Sequence, residues 1–537
     1  MMDYPLTITH ILDRARRLFR DKPVLTRTAS GMHRYTYGDL YRRVCRLANA
    51  LTALGVCDGE RVGSFAWNTY RHLELYLGIP SSGRVLHTLN IRLFPEQIGF
   101  IVNHAEDALI FVDDSLVPAL EALAPQLKCV RGYVVMGDGP LPKTSLAPLY
   151  RYEDLLAAAS EDYDLPRLDE NNAAGMCYTS GTTGNPKGVA YSHRALTLQS
   201  LAQCSADAFG LCESDVVMSV VPMFQANAWG LPYTATLVGA TQIYPGAQPT
   251  PQDICELVQE HKISVTAGVP TVLLGMLGAL EQKSYDLSSL RCVPCGGSAV
   301  PESLLARFDQ LGIRVVQAWG MTETSPLATL SKPRSSMVSW SAEQQRLVRA
   351  KQGMSMPFVE MRIVGDDGKE LPQDGKSVGE LQVRGPWIVA EYYNDPRSAA
   401  AFQDGWFKTG DIATIDPDGY LQITDRAKDV IKSGGEWISS VELENAIIGH
   451  PQVLEAAVIG LPHERWQERP LACVVPRPGQ QVSRAEILKF LADKVAKWWL
   501  PEDVVFVESI PKTSVGKIAK RDLREQFKDY HWPSEKA

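Results

Sequence analysis

The sequence predicts an α/β fold: a large N-terminal domain of stacked, mostly parallel sheets, a small β-barrel-like subdomain, and a mobile small α+β C-terminal domain. Three observations predict it. Over most of the 537 residues, amphipathic helical segments alternate with short β-branched strands, the pattern of parallel sheets crossed by helices. From about residue 355, strands of alternating apolar and polar residues are separated by Gly/Asp turns, as in antiparallel sheet. Beyond the charged stretch Asp425-Arg426-Ala427-Lys428-Asp429, the chain holds two or three helices and several strands, enough for a small unit of its own. The boundary falls at Asp425–Arg426, giving domains 1–425 and 426–537 and predicting mobility between them.

The elements follow in order. LTITHILDRARRLFRD reads as an amphipathic helix. RYTYGDLYRRVCRLANALTALG passes from a strand into a long helix that stops at Gly55. ERVGSFA, ALIFVDD, RGYVVMGD, DVVMSVVP and IRVVQAW read as strands. ISVTAGV is a buried strand, and PTVLLGMLGAL is a helix with Pro270 near its start. VEMRIVGDDGKEL, VGELQVRGP, DGWFKTGD and DGYLQITD supply the antiparallel strands.

Composition narrows the function classes. Hydrophobic residues make up 45% and charged residues 22%, as in ordinary globular proteins. Lys+Arg of 54 against Asp+Glu of 62 gives a formal charge of −8, which argues against a general nucleic-acid surface. Ten dispersed cysteines fit reduced thiols. The first residues, MMDYPLTITHILDRARRLFRDK, have no continuous apolar core, so no signal peptide is expected and the location is cytoplasmic. Two uncharged runs, 216–252 and 263–280, are broken by Pro and Gly, so no stable membrane insertion is expected.

The strongest local signal is Tyr178-Thr179-Ser180-Gly181-Thr182-Thr183-Gly184-Asn185-Pro186-Lys187-Gly188. Glycines let the backbone approach a ligand, successive N–H groups cradle anions, and hydroxyls and an ammonium add donors. That set suits a triphosphate. It is not a Walker A loop, because Lys187 follows Pro186 rather than Gly.

YTSGTTGNPKG resembles the phosphate loop of the adenylate-forming superfamily. CGGSAVP, QAWGMTET, GWFKTGD, DRAKDVIKSGGEWIS and PKTSVGK follow in the superfamily's order up to Lys517. PMFQANAWG and KSGGEWISS look most like the medium- and long-chain fatty acyl-CoA synthetases. The resemblance covers nearly the whole chain and implies the adenylate-forming enzyme fold. It implies a reaction in which a carboxylate attacks the α-phosphorus of ATP, after which the thiol of coenzyme A displaces AMP. The first step brings an anion toward a polyanion, so charge must be neutralised and the reactants held in line.

By resemblance, ATP, Mg²⁺ and coenzyme A are the cofactors. Thr179, Ser180, Gly181, Thr182, Thr183, Gly184 and Lys187 would bind phosphates. Thr322 would reach the α-phosphate, and Glu323 with Thr179 would hold the metal. Trp319 would stack on adenine, while Gly296, Gly297, Ser298, Gln317, Ala318 and Gly320 complete the nucleotide pocket. Asp411 would accept the ribose hydroxyls, Arg426 would reach ribose or phosphate, and Lys428 is the hinge position. Lys517 would stabilise charge developing in adenylation. Lys432, Gly434, Gly435, Glu436 and Trp437 would face the active site in the other of two states, when the C-terminal domain has rotated to admit the coenzyme A arm.

Gln225, Trp229, Val221, Phe224, Ala228, Gly297, Val300 and Ala318 are the acyl-pocket candidates, with Trp229 in the position of a tunnel gate. Two positions depart from the usual pattern. The family commonly has His where Gln225 stands, and Gly-Tyr-Gly where this chain has Ala318-Trp319-Gly320. The expected substrate is a largely apolar carboxylic acid, and related enzymes often form homodimers. Three alternatives remain open at this point: an enzyme specialised for thioesterifying a pre-formed adenylate, an adenylating enzyme serving a separate carrier protein, and a non-catalytic nucleotide sensor.

Overall fold

The computed structural model describes every residue except 180–184, 427–428, 434–435, 514–517 and 534–537, and the side chains of 436 and 437. Its largest sheet has seven strands, in the order Leu149–Arg151, Tyr133–Met136, Leu109–Asp113, Arg61–Phe65, Val85–Thr88, Ala173–Tyr178, Gly188–Ser192. All neighbours are parallel except the last pair, which is antiparallel. The expected phosphate loop is therefore a hairpin connection between two strands, not a strand-to-helix turn.

A second sheet orders Val265–Thr266, Val216–Met218, Thr241–Tyr244, Pro23–Thr28 and Gly31–Thr36. It too is parallel but for its terminal hairpin. A third carries Val293–Cys295, Val315–Gly320, Leu327–Leu330 and Met354–Ser355. Helices pack between and around these sheets. Tyr37–Ala53 starts at a capping box, in which Thr36 Oγ1 accepts from the Asp39 amide at 3.2 Å and the Asp39 carboxylate accepts from the Thr36 amide at 2.9 Å. Tyr70–Ser81 is buried along its whole length, as a helix between sheets must be. Pro270 does open the Pro270–Gln282 helix, where its missing N–H costs nothing.

The antiparallel region expected from residue 355 is a five-stranded sheet of Glu360–Val364, Gly379–Arg384, Trp406–Ile415, Phe402–Gln403 and Leu421–Arg426. Its last strand pairs Asp411 with Arg426 and Ile412 with Asp425, so the sheet runs right up to the predicted boundary. Beyond it, Glu436–Ile438, Ile431–Ser433, Gln467–Pro476, Val453–His463 and Asp503–Phe506 form a separate sheet. Helices Ser440–Ile448, Arg484–Leu491 and Lys520–Gln526 accompany that sheet, and it buries clusters of its own around Ile431 and Leu471. Among the described residues, no helix is long and apolar enough to cross a membrane.

Candidate active site

The base of the phosphate hairpin is closed by two hydrogen bonds. The Thr179 amide donates to the Lys187 carbonyl at 2.9 Å, and the Lys187 amide donates to Thr179 Oγ1 at 3.1 Å. A side chain at Gly188 would bring its Cβ within 2.9 Å of the Tyr178 ring. Glycine there lets the ring lie across the hairpin. The Tyr178 hydroxyl meets His104 Nδ1 at 2.7 Å, and the Tyr393 amide donates to the Gly188 carbonyl at 2.8 Å. Lys187 Nζ sits 4.4 Å from the centre of the Tyr392 ring, a cation–π distance. Ser180, Gly181, Thr182, Thr183 and Gly184 lie outside the described residues.

Glu323 sits on the short turn Thr322–Thr324 that follows the strand Val315–Gly320. It is buried, and its Oε1 accepts from the Tyr392 hydroxyl at 2.8 Å. Burial, and then the Glu323 carboxylate, pushes the Tyr392 phenol up, so it stays protonated and donates. The Tyr191 hydroxyl fixes the Thr322 carbonyl at 2.8 Å. Tyr392 thus joins the expected phosphate lysine to the expected metal carboxylate, a role that nothing in its local sequence EYYNDP signals.

Trp319, Asp411 and Arg426 form one group. Trp319 Nε1 donates to Asp411 Oδ2 at 3.1 Å, and Arg426 Nε lies 2.7 Å from Asp411 Oδ1. Arg426 Nη1 also reaches the Thr409 carbonyl at 3.3 Å. Each carboxylate oxygen keeps a lone pair for a further donor. A Cβ at Gly296 would stand 2.5 Å from the Ala318 carbonyl and 3.6 Å from the Trp229 ring. Glycine there lets the strand, the turn and the indole converge.

Thr179, Lys187, Trp319, Thr322, Glu323 and Arg426 line one cavity of about 1200 Å³. That exceeds the ~300–1,000 Å³ usual for a single small ligand. Its other walls include Val221, Phe224, Gln225, Trp229, Gly297 and Ala318, with Ile254, Val269 and Val272. The wall therefore combines polar and charged groups with apolar ones. Trp229 ends a run of four non-glycine residues in left-handed conformation, with φ of 42°, 54°, 50° and 56° from Ala226 to Trp229. Gln203 Nε2 holds the Trp229 carbonyl at 2.7 Å.

Several expected site residues do not line this cavity. Val300 does not line the cavity; it is buried in the cluster around Leu304 and Phe308, and its amide donates to Gln317 Oε1 at 3.3 Å. Gln317 is itself buried and, like Asp411, is not part of the cavity wall. Ala228 is fully buried within the left-handed turn and is not part of the cavity wall. Ser298 is exposed, outside the cavity wall. Lys432 is exposed and lines a second cavity of about 460 Å³ with Arg362 and Lys408, away from Glu323. Lys428, Gly434, Gly435 and Lys517 lie outside the described residues, as do the side chains of Glu436 and Trp437. Thr513 and Ile518, which flank 514–517, do line the main cavity.

The donor set fits Mg²⁺ in one respect: Glu323 and Thr179 offer hard oxygens on the cavity wall, and Mg²⁺ takes few protein ligands beside waters and substrate phosphates. Among the described residues there is no cluster of three or more His, Cys, Asp or Glu able to hold a metal without substrate.

Comparison with known proteins agrees with this geometry. Residues 12–393 match the AMP-binding enzyme family, and 442–517 match the AMP-binding enzyme C-terminal domain. The chain is 49% identical to a long-chain-fatty-acid–CoA ligase of Thermus thermophilus, over 99% of this chain and 97% of the relative. It is 43% identical to a 3-methylmercaptopropionyl-CoA ligase of Ruegeria lacuscaerulensis, covering 98% of each. The crystal structure of the anthranilate CoA ligase AuaEII in complex with anthranoyl-AMP superposes with a TM-score of 0.88 at 26% identity, covering 98% of each chain. The chain belongs to the AMP-binding enzyme family.

Proposed function

We propose that this protein is an ATP-dependent acyl-CoA synthetase, an AMP-forming acid–thiol ligase that activates a largely apolar carboxylic acid. The observation that carries the reading is one cavity whose wall holds both the phosphate-compatible groups Thr179, Lys187 and Glu323 and the apolar side chains Val221, Phe224 and Trp229. Full-length similarity to CoA ligases supports the reaction class. The named acids of those two relatives differ greatly in size, so chain length is left to the cavity's own apolar wall.

In this reading Trp319 offers its face to adenine while its N–H orients Asp411. Asp411 accepts the ribose hydroxyls, and Arg426 neutralises it and reaches toward phosphate. Lys187 and Thr179 hold the phosphates. Mg²⁺, held by Glu323 and Thr179, would supply charge neutralisation on the phosphate oxygens. Lys517 supplies the ammonium for adenylation, and the glycine face at 434–435 with Lys432 serves the thiol step after the tail has turned. The position of Lys432 in the second cavity, away from Glu323, supports a state in which that lysine is turned away. A cytoplasmic homodimer completes the proposal.

The test is a panel of aliphatic, aryl and polycyclic acids incubated with ATP, Mg²⁺ and coenzyme A. Pyrophosphate, AMP and a thioester should appear with at least one apolar acid. Absence of all three across the panel would refute the reading. Lys517→Ala should abolish adenylate formation and spare thioester formation from supplied acyl-adenylate.

A further inference from the structure

Outside the cavity wall, a buried charged network straddles the boundary between the two units. Asp425 belongs to the five-stranded sheet, opposite Ile412, and only 1% of it is exposed. Its Oδ2 accepts from the Ser440 amide at 2.8 Å and from the Ser440 hydroxyl. Ser440 opens the Ser440–Ile448 helix of the C-terminal unit. The neighbouring Ser439 hydroxyl donates to the Thr424 carbonyl. Lys520 Nζ donates to the Ser440 hydroxyl and pairs with Glu444 at 2.8 Å. Glu444 in turn accepts from the Val458 amide at 2.8 Å. One turn further along the Lys520–Gln526 helix, Arg524 pairs with Asp429 at 2.8 Å, and Asp429 lines the main cavity.

We infer that Asp425 and Lys520 are positioning residues for adenylate formation, acting through Ser440 to hold the C-terminal unit in the orientation in which Thr513 and Ile518 face the cavity. The Lys520–Glu444 pair lies wholly within the C-terminal unit, so it would survive any movement of that unit. The Asp425–Ser440 bonds do not: they cross the boundary and exist only while the two units sit as they do here. A buried carboxylate deprived of both donors is costly, so the contact biases the molecule toward this orientation. Asp425, Ser440, Glu444 and Lys520 do not line the cavity, so they act through other residues.

The inference rests on the two-step reading above, and one experiment separates the two. Asp425→Asn, Ser440→Ala, Lys520→Met and Lys520→Arg are compared with wild type in acid-dependent pyrophosphate release, in thioester formation from supplied acyl-adenylate, and in thermal midpoint. Asp425→Asn and Ser440→Ala should slow pyrophosphate release about tenfold, the scale of losing one charge-assisted hydrogen bond, and leave the thiol step unchanged. Lys520→Arg should restore what Lys520→Met loses. Equal loss in both half-reactions, or an unchanged ratio in a folded variant, would overturn the inference. If Asp425→Asn does not fold, Ser440→Ala decides alone, because it leaves every buried charge in place. A wild-type protein inactive in both half-reactions would instead sink the acyl-CoA synthetase reading.

Discussion

The Tyr392 hydroxyl donates to Glu323 Oε1 at 2.8 Å while the same ring lies 4.4 Å under the Lys187 ammonium. One aromatic side chain thereby sets the spacing between a cation and a carboxylate that the proposed chemistry uses together. Tyr392→Phe keeps the ring and removes the donor. The buried carboxylate then loses a hydrogen bond worth ~1–3 kcal/mol. The Mg²⁺ concentration for half-maximal pyrophosphate release should shift several-fold, with the thermal midpoint little changed. Superimposable Mg²⁺ titrations would show that Tyr392 does not tune Glu323.

Trp319 and Asp411 give a second test. Trp319→Phe retains an aromatic face but takes the N–H away from Asp411 Oδ2. Asp411→Asn weakens the link to Arg426. The second change should raise the KM for ATP by about tenfold or more, the scale of a lost charge-assisted bond, and the first by less. The KM for the acid should stay put in both. A rise in the KM for the acid with none for ATP would remove these residues from the nucleotide-binding groups.

Much of this was legible in the sequence, for a physical reason. Anion cradles and tight approaches need glycine, hydroxyl and proline at fixed offsets, so YTSGTTGNPKG and CGGSAVP stand out locally. The same holds for Pro270 at the start of its helix. What escaped was assembled across distance. Tyr392 lies 69 positions from Glu323, and no local pattern marks it. Val300 and Gln317 belong to the motifs yet stand off the cavity wall, because successive side chains along a strand point to opposite sides. One side meets the cavity and the other the core. Asp425 reads as a surface charge in the run DRAKD, yet the Ser440 helix buries it.

Two buried histidines should make the protein acid-sensitive. Burial pushes His193 and His72 down to about 4. The Ile8 amide donates to His193 Nδ1 at 3.3 Å, which requires that nitrogen to be unprotonated. Below the ordinary value of 6.5 the unfolded chain takes up protons that the folded one refuses, so stability falls as pH drops from 6.5 toward 4. Each group contributes a slope of ~1.4 kcal/mol per pH unit. Asp113 opposes them: burial raises it to about 7, so the folded state holds a proton there that the unfolded chain releases above its ordinary value of 3.8. Urea midpoints at pH 6.5 and 5 should therefore differ less in His193→Asn than in wild type, and more in Asp113→Asn. The opposite ordering would show that these groups are not buried as described.

The left-handed turn before Trp229 permits a cleaner measurement. A non-glycine residue pays ~1–2 kcal/mol to adopt left-handed φ, and glycine pays almost none. Ala228 has φ of 50° and is fully buried. Ala235, in the Leu231–Val238 helix, is equally buried in ordinary helical conformation. Ala→Gly at both sites removes the same buried methyl and adds the same freedom to the unfolded chain. At Ala235 those losses stand alone, and the variant should be destabilised by ~1–2 kcal/mol. At Ala228 the relief of backbone strain offsets them, and stability should stay close to wild type. Because the turn carries Trp229 among the apolar groups of the cavity wall, Ala228→Gly should also broaden the range of acids that support pyrophosphate release. Equal destabilisation at the two sites, with an unaltered acid profile, would mean that the turn before Trp229 stores no strain and that the indole is held by packing alone.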